Sequence, residues 1–408
     1  MHTPPPGSHL SNSFRKVSDK VTLDGKTAIV GIGTTDYYRR GRSLPLTLNE
    51  LVCNAIIAAA DDAGIAVSDI DGFSYYSKGY DTNLLAQTLG IKQINFSAIQ
   101  TYGGNGSAGC VALASAAVVS GMADIVVSVF GIQMTPKSRL TAAIVDYLPP
   151  SPEQDFLLPY GAWAPGHYFS LIAQRHMYEY GTTRDHFAEV AITQRNNALR
   201  SPKALQKEPL TREQYFSAPM ISDPLCLYDY TMECDGAVAV ITTSAERARD
   251  LRQPPAYVMG IATGGDGRWG GGIGWMGMPD DLFPSAGMRT PADSVYARAG
   301  ITPKDVDVAL MYDHFTPMVL LQLEDFGFCE RGESGPFVME GNIALDGSIP
   351  VNTHGGNLSE AYIVGMSHVA EAVEQVRGTA FNQVEGAEIV LVTGAPCAAP
   401  VGAVLLRR

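Results

Sequence analysis

The apolar positions of this 408-residue chain fall into short continuous runs separated by longer stretches of mixed polarity. Residues 28–33 (AIVGIG) are small or apolar throughout and predict a buried strand. A helix is expected over about 47–63, then Gly64 and a strand over 72–76. The same order returns in the second half: a strand over 256–261, a helix over about 291–298, Gly300, and a strand over 309–312. Gly64 and Gly300 each stand where a helix hands the chain to a strand, a position that favours glycine because it takes positive φ without strain. A second pair matches as well, a helix over 108–119 leading to a strand over 125–130, and a helix over 366–376 leading to a strand over 389–392. Helix, glycine, strand also recurs by chance in α/β chains, but here two units recur in one order. The strands are mainly continuous apolar runs, as a sheet covered on both faces requires. Two similar α/β halves are expected, with 130–250, including helical stretches at 168–180 and 183–199, read as an inserted, mostly helical lid.

Composition narrows the class. Apolar residues make up 46% and charged residues 17%, enough to bury a large core, and the length calls for more than one domain-sized unit. The net charge of −13 argues against binding nucleic acid or an anionic membrane, both of which need clustered Lys and Arg. The six cysteines are scattered, without a C-x-x-C pair or a Cys/His cluster at ligand spacing, so free thiols in a reducing compartment and no metal site are expected. Residues 1–20 are polar and rich in Pro and Ser, and no apolar run of about 18 residues follows. Neither secretion nor membrane insertion is expected, which leaves the cytoplasm.

Six motifs then occur in a telling order. They are Gly106-Ser-Ala-Gly109 with its helix and Gly121-Met-Ala-Asp124; Tyr178-Glu-Tyr-Gly181 with Asp185-His-Phe-Ala188; Asp235-Gly236-Ala237; Tyr312-Asp-His-Phe315; Gly355-Gly356-x-x-Ser359; and the 402–406 end. In this order they resemble the thiolase superfamily, in particular its sterol-carrier-protein type. The resemblance implies a five-layered αβαβα core of duplicated halves, divided as 21–130, an insertion and return to the core over 131–250, and 251–408.

A thiolase needs a cysteine thiolate and an activating histidine. The position matching the family nucleophile, three residues before Gly109, is Gly106, and Cys110 one residue past Gly109 reads as a small buried hydrophobe. The two family histidines are replaced by Tyr312 and Tyr362. Without a thiolate no acyl-enzyme forms, whereas a site that polarises a thioester carbonyl and carries phenols suits a retro-aldol step. A phenol with a reference pKa near 10 would need a neighbouring charge or donor to act as a base, and Asp313, His314 and His354 are the candidates. The pattern resembles thiolase-like aldolases that shorten steroid side chains. That resemblance implies a 17-hydroxy steroid C22-CoA ester as substrate, a 17-keto steroid and propionyl-CoA as products, and no metal or cofactor beyond the substrate's CoA. It also implies a homodimer, with the strand of 96–102 at its edge, joined by a small OB-fold partner in a heterotetramer. Two other readings stay open: a cysteine-dependent thiolase or acyltransferase using Cys110 or Cys397, and a non-catalytic acyl-CoA or lipid-binding scaffold. Tyr312, Tyr362 and His354 could each also merely line a pocket or satisfy a turn. The glycines of 264–274 match no phosphate-binding spacing and read as a flexible loop near the active site.

Overall fold

The computed structural model describes residues 23–76, 79–100, 103–134, 158–162, 164–265, 283, 285–394, 396–397 and 400–408. The first half comprises β1 (Thr27–Thr34), β2 (Tyr38–Arg39), α1 (Leu48–Ala63), β3 (Gly72–Tyr75), α2 (Thr82–Leu89), β4 (Phe96–Ile99), α3 (Ala108–Val119) and β5 (Ile125–Ile132). The insertion carries α4 (Pro165–Tyr180), α5 (Arg184–Arg200), α6 (Arg212–Ser217), β6 (Met220–Ser222) and β7 (Leu225–Cys226). Then follow β8 (Cys234–Ser244), α7 (Ala245–Ala248), β9 (Ala256–Gly264), α8 (Arg289–Ala299), β10 (Val308–Leu310), α9 (Thr316–Asp325), α10 (Ser334–Met339), α11 (Gly356–Ser359), α12 (Met366–Arg377), β11 (Ile389–Gly394) and β12 (Val401–Arg407).

Local chemistry sets these boundaries. Thr47 caps α1 by accepting the Glu50 N–H while Glu50 accepts the Thr47 N–H, a reciprocal capping box. Gly64, at φ 74°, ends the helix, and Gly300, at φ 70°, ends α8 in the same way, as expected. Helix α1 lies almost backbone to backbone on β1. A Cβ on Gly31 would come within 2.2 Å of the Ala59 carbonyl oxygen, and one on Gly33 within 2.1 Å of that of Ala55.

Strand pairing reveals the duplication. In the first half β3 runs parallel to β5, β5 antiparallel to β8, and β8 antiparallel to β1. In the second, β10 runs parallel to β11, β11 antiparallel to β12, and β12 antiparallel to β9. Even the outer position is matched: β4 lies parallel on β3, and Val351 makes a parallel bridge to Ala309 of β10. The halves meet where Ala28 and Ile29 of β1 pair with Tyr257 and Ala256 of β9.

Helices α3 and α12 fill the space between the halves. Helix α3 touches β3, β5 and β8 on one side and β9, β11 and β12 on the other, which explains why it is apolar all round. Helix α1 covers the outer face of the first half and α8 that of the second, giving five αβαβα layers. One boundary needs correction. Strand β8 lies between β1 and β5, so residues 234–244 belong to the centre of the first half, and a division that closes that half at 130 cuts its sheet. The helices of the insertion pack on the second half, α5 touching α9, α10 and α11. Of the glycine-rich stretch at 264–274, only Gly264 and Gly265 are among the described residues.

The contact between β1 and α1 yields a direct test. Gly33→Ala should destabilise the protein by about 1–3 kcal/mol through overpacking, whereas Gly264→Ala, with no atom of the described residues within 4 Å of the added methyl, should not. Thermal melting of the two variants side by side measures this, and equal melting temperatures would refute so close an approach.

Candidate active site

Tyr312 stands two residues beyond β10, and its backbone is held on both sides. Its N–H donates to Thr393 Oγ1 at 3.0 Å, and its carbonyl accepts from Gln322 Nε2 at 2.9 Å. Thr393 donates in turn to Gln322 Oε1, closing a ring of fully buried polar groups. Just before it, the peptide groups of Met311 are satisfied by the side-chain amide of Asn352, which accepts at 2.8 Å and donates at 2.9 Å. These bonds leave the backbone of Tyr312 little freedom, so the direction of its ring is set by the scaffold.

Asp313 is fully buried, and its carboxylate accepts the N–H groups of Asn357 at 2.9 Å and Leu358 at 3.1 Å, capping the short turn of α11. His368 Nε2 lies 3.0 Å from both Asp313 Oδ1 and the Met311 carbonyl oxygen. A Cβ at Gly356 would fall 2.2 Å from Asp313 Oδ2, so this approach demands glycine. Anchored in this way, the chain leaves α11 at Ser359 and carries Tyr362 along an irregular stretch in which Val364 and Gly365 take positive φ. Tyr362 follows the helical turn rather than starting a helix. The result is that the phenol oxygens of Tyr312 and Tyr362 stand 3.1 Å apart, within hydrogen-bond distance.

The start of α3 faces the same place. Ser107 precedes the helix, and its Oγ and the Tyr312 ring crowd Gly365, where an added Cβ would lie 3.0 Å from the former and 2.8 Å from the latter. Gly394 is packed as closely, 2.9 Å from Ser107 Oγ by the same measure. The first turn of a helix has N–H groups without intrahelical acceptors and carries partial positive charge. Gly106, where the family pattern puts a nucleophile, offers no side chain, and Tyr76 lies against it. Cys110 is inside α3 and buried, its thiol pushed up to about 12 by burial. Cys397 is also buried, donating to the Ser285 carbonyl, with its thiol pushed well up by burial and by Asp325.

Burial dominates the electrostatics. It raises the Tyr312 phenol well above its ordinary value, and the neighbouring Tyr362, Tyr76 and Asp313 raise it further. Tyr362, half-buried, is pushed up to about 12 by burial, and the hydrogen bond with Tyr312 acts in the opposite direction. Both phenols are therefore neutral at ordinary pH. The expectation that Asp313, His314 or His354 would activate a phenol by charge is not met by this arrangement. Asp313 is committed to α11 and His368. His314 packs its ring at 4.2 Å from that of Phe169 and 5.2 Å from that of Tyr312, and burial holds its imidazole down at about 3. His354 has no hydrogen-bond partner on either ring nitrogen among the described residues and faces Glu360 at 3.9 Å and the ring of His368 at 4.8 Å. Burial, then His368 and Lys203, push it well below the usual imidazole range.

Sequence reasoning thus paired the two tyrosines and missed Tyr76, Ser107, Gln322, Thr393, His368 and Cys234, whose Sγ accepts the Tyr362 N–H at 3.1 Å. Only Tyr76 and Ser107, next to motifs already singled out, had a local signal. Gln322 and His368 lie within ten residues of a tyrosine but outside any motif, whereas Thr393 and Cys234 reach the site from distant parts of the chain.

Comparison with known proteins finds relatives along most of the chain. A family model described as Thiolase C-terminal domain-like matches residues 276–405. The steroid side-chain-cleaving aldolase of Thermomonospora curvata is 38% identical over 377 residues, covering 91% of this chain and 95% of that protein. The 17-hydroxy-3-oxo-4-pregnene-20-carboxyl-CoA lyase of Mycobacterium tuberculosis is 37% identical, covering 91% and 96%. Among solved structures, the Ltp2-ChsH2(DUF35) aldolase superposes with a TM-score of 0.87 at 35% identity, over 94% of this chain and 98% of that one.

An acidic cluster of buried Glu360 and Glu371 and half-buried Glu374 faces Lys203. Burial first, then Glu374, raises the Glu371 carboxyl from 4.5 to about 7. A carboxyl raised on folding gives its full contribution below the unfolded value and loses it as pH climbs through the folded one. The Glu371 contribution should therefore fall between about pH 4.5 and pH 7. Glu371→Gln, which can still accept from Thr353 and Gln375, should flatten that decline and melt higher than the native protein at pH 8. Thermal unfolding across the range checks this, and a variant that melts no higher at pH 8 would refute it.

Proposed function

Because this chain belongs to the thiolase superfamily and is a carbon–carbon lyase of its aldolase type, we propose that it cleaves a β-hydroxyacyl-CoA by a retro-aldol step run by Tyr362 and Tyr312. The observation that carries the reading is the phenol pair, 3.1 Å apart, beside a helix start with Gly106 at the position of the family nucleophile. Because both phenols are neutral, they act as a relay rather than through a standing phenolate. The β-hydroxyl proton passes to the Tyr362 oxygen while the Tyr362 proton moves along the hydrogen bond to Tyr312, which releases its own proton to the α-carbon. Meanwhile the O–H electrons form the new carbonyl, the bond between Cα and Cβ breaks, and its electrons pass through the thioester enolate to the new C–H bond. Both phenols end neutral. Either hydroxyl can donate across the 3.1 Å contact, and in this relay Tyr362 donates to Tyr312. The N-terminal N–H groups of α3 favour negative charge developing on the thioester oxygen. All protons come from substrate and phenols, so the step as written calls for no added cofactor.

The activities of the two relatives support a 17-hydroxy steroid C22-CoA ester as substrate, and its retro-aldol cleavage would give a 17-keto steroid and propionyl-CoA. A small OB-fold partner is part of the proposal, supported by the partner named in the related solved structure. So is work in the cytoplasm, alongside the finding that no described helix is long and apolar enough to cross a membrane. The assay is product analysis with that ester, comparing Tyr362→Phe, Tyr312→Phe and Cys110→Ala. Either phenylalanine should lower turnover by roughly 10²- to 10⁴-fold, the usual worth of a positioned acid or base. Cys110→Ala should lose only ~1 kcal/mol of stability and keep its turnover. The opposite pattern would establish a cysteine-dependent acyltransferase.

Strand β4 ends the sheet with its outer edge unpaired among the described residues, and Ile99 on it is 53% exposed. An exposed edge with apolar side chains is a template for pairing. We place the homodimer contact there; residues 101 and 102 of the expected segment lie outside the described residues. Sedimentation at micromolar concentration should show a dimer that Ile99→Lys weakens, and a stable native monomer would count against it.

A further inference from the structure

The two tyrosines are not held in the same way. Tyr312 has its backbone fixed by the Gln322–Thr393 ring. Around Tyr362, the Glu360 carbonyl accepts from the Leu205 N–H, and the Ile363 carbonyl accepts from that of Met366. Between those two bonds, the peptide groups of Tyr362 have one partner among the described residues, the Cys234 thiol. Cys234 Sγ accepts the Tyr362 N–H at 3.1 Å and lies 3.5 Å from the Tyr362 carbonyl oxygen, to which its S–H donates. Only a group that is both donor and acceptor on one atom can close both bonds.

Cys234 is itself firmly placed. It opens β8 opposite Arg39 of β2, and the next residue, Asp235, accepts from Ser43 N and Oγ at 3.2 and 2.8 Å and from Met134 N at 2.8 Å. Gly236 then lies against Ile363, where an added Cβ would meet Ile363 Cδ1 at 3.4 Å, so the start of β8 runs alongside the segment that bears Tyr362. The thiol is 1% exposed and pushed up to about 12, first by burial, so it stays protonated and cannot serve as a nucleophile.

We infer that Cys234 is a positioning residue for the aldolase reaction, its thiol clamping both peptide groups of Tyr362 so that the phenol meets that of Tyr312. The inference rests on the reading of Tyr362 as a proton-transfer group, and a double-mutant cycle separates the two. Cys234→Ala removes both bonds and should lower kcat by about 10- to 100-fold, the scale of a displaced catalytic group, with KM little changed. Cys234→Ser keeps a donor and an acceptor on one atom and should recover most of that loss. If the alanine variant proves too unstable to assay, Cys234→Val, which fills the site without closing the bonds, takes its place. On a Tyr362→Phe background, removing the thiol should cost no further turnover, because it acts only through the phenol.

A structural role alone would give losses that add on that background and equal impairment of the serine and alanine variants, and either result overturns the inference. Full activity of Cys234→Ala with an inactive Tyr362→Phe also overturns it while leaving the tyrosine reading intact. An active Tyr362→Phe instead overturns the tyrosine reading, and the inference with it.

Discussion

The site is organised around the buried Asp313 carboxylate, a group that transfers no proton in the proposed reaction. Its two oxygens draw in the Asn357 and Leu358 N–H groups and the His368 ring, and so tie the end of β10 to the turn that precedes Tyr362. A carboxylate taken out of water must be compensated by donors of good geometry, and this one has three. Tyr312 and Tyr362 are 50 residues apart in sequence, and this anchor lies beside the first and shortly before the second. Without it the glycines that permit the approach, Gly356 and Gly365, would leave the segment free to take many conformations.

Around that anchor the pseudo-symmetric halves do different work. The second half supplies both phenols, and the first supplies the start of α3 and, through β8, the thiol that meets Tyr362. The site forms where the central helices are pressed between two sheets, so its polar groups are desolvated by the same packing that stabilises the core. Desolvation explains why both phenols are neutral and why a nearby histidine is uncharged. A proton relay through neutral groups suits such an environment better than a standing charge would. The chemistry fits the proposed substrate too: a hydroxyl on a fully substituted carbon cannot be oxidised to the ketone that thiolysis needs, so breaking the carbon–carbon bond calls for a retro-aldol step and not for an acyl-enzyme.

Much of this could be read from the residues in order, because it depends on neighbours in the chain. Continuous apolar runs located the strands of a doubly covered sheet. Glycine at the helix ends marked the turns, since positive φ is a local requirement met at Gly64 and Gly300. The glycine at 106 and the tyrosines at 312 and 362 were visible against a family pattern and told that thiolate chemistry was absent. What the amino-acid order could not determine was which groups would touch. Asp313 looked like a charge partner for a phenol and proved to be a cap, because the partner of a buried carboxylate is decided by which N–H groups the fold turns toward it. His354 looked like a neighbour of the tyrosines and instead faces Glu360 and His368, in a turn where Asn352, Gly355 and Gly356 take positive φ. Strand β8 joins the first half from beyond the insertion, and Cys234 meets Tyr362 across 128 residues, a contact set by strand order and register. Those are properties of the folded sheet, as is the burial that keeps both phenols and His354 neutral, which no local pattern encodes.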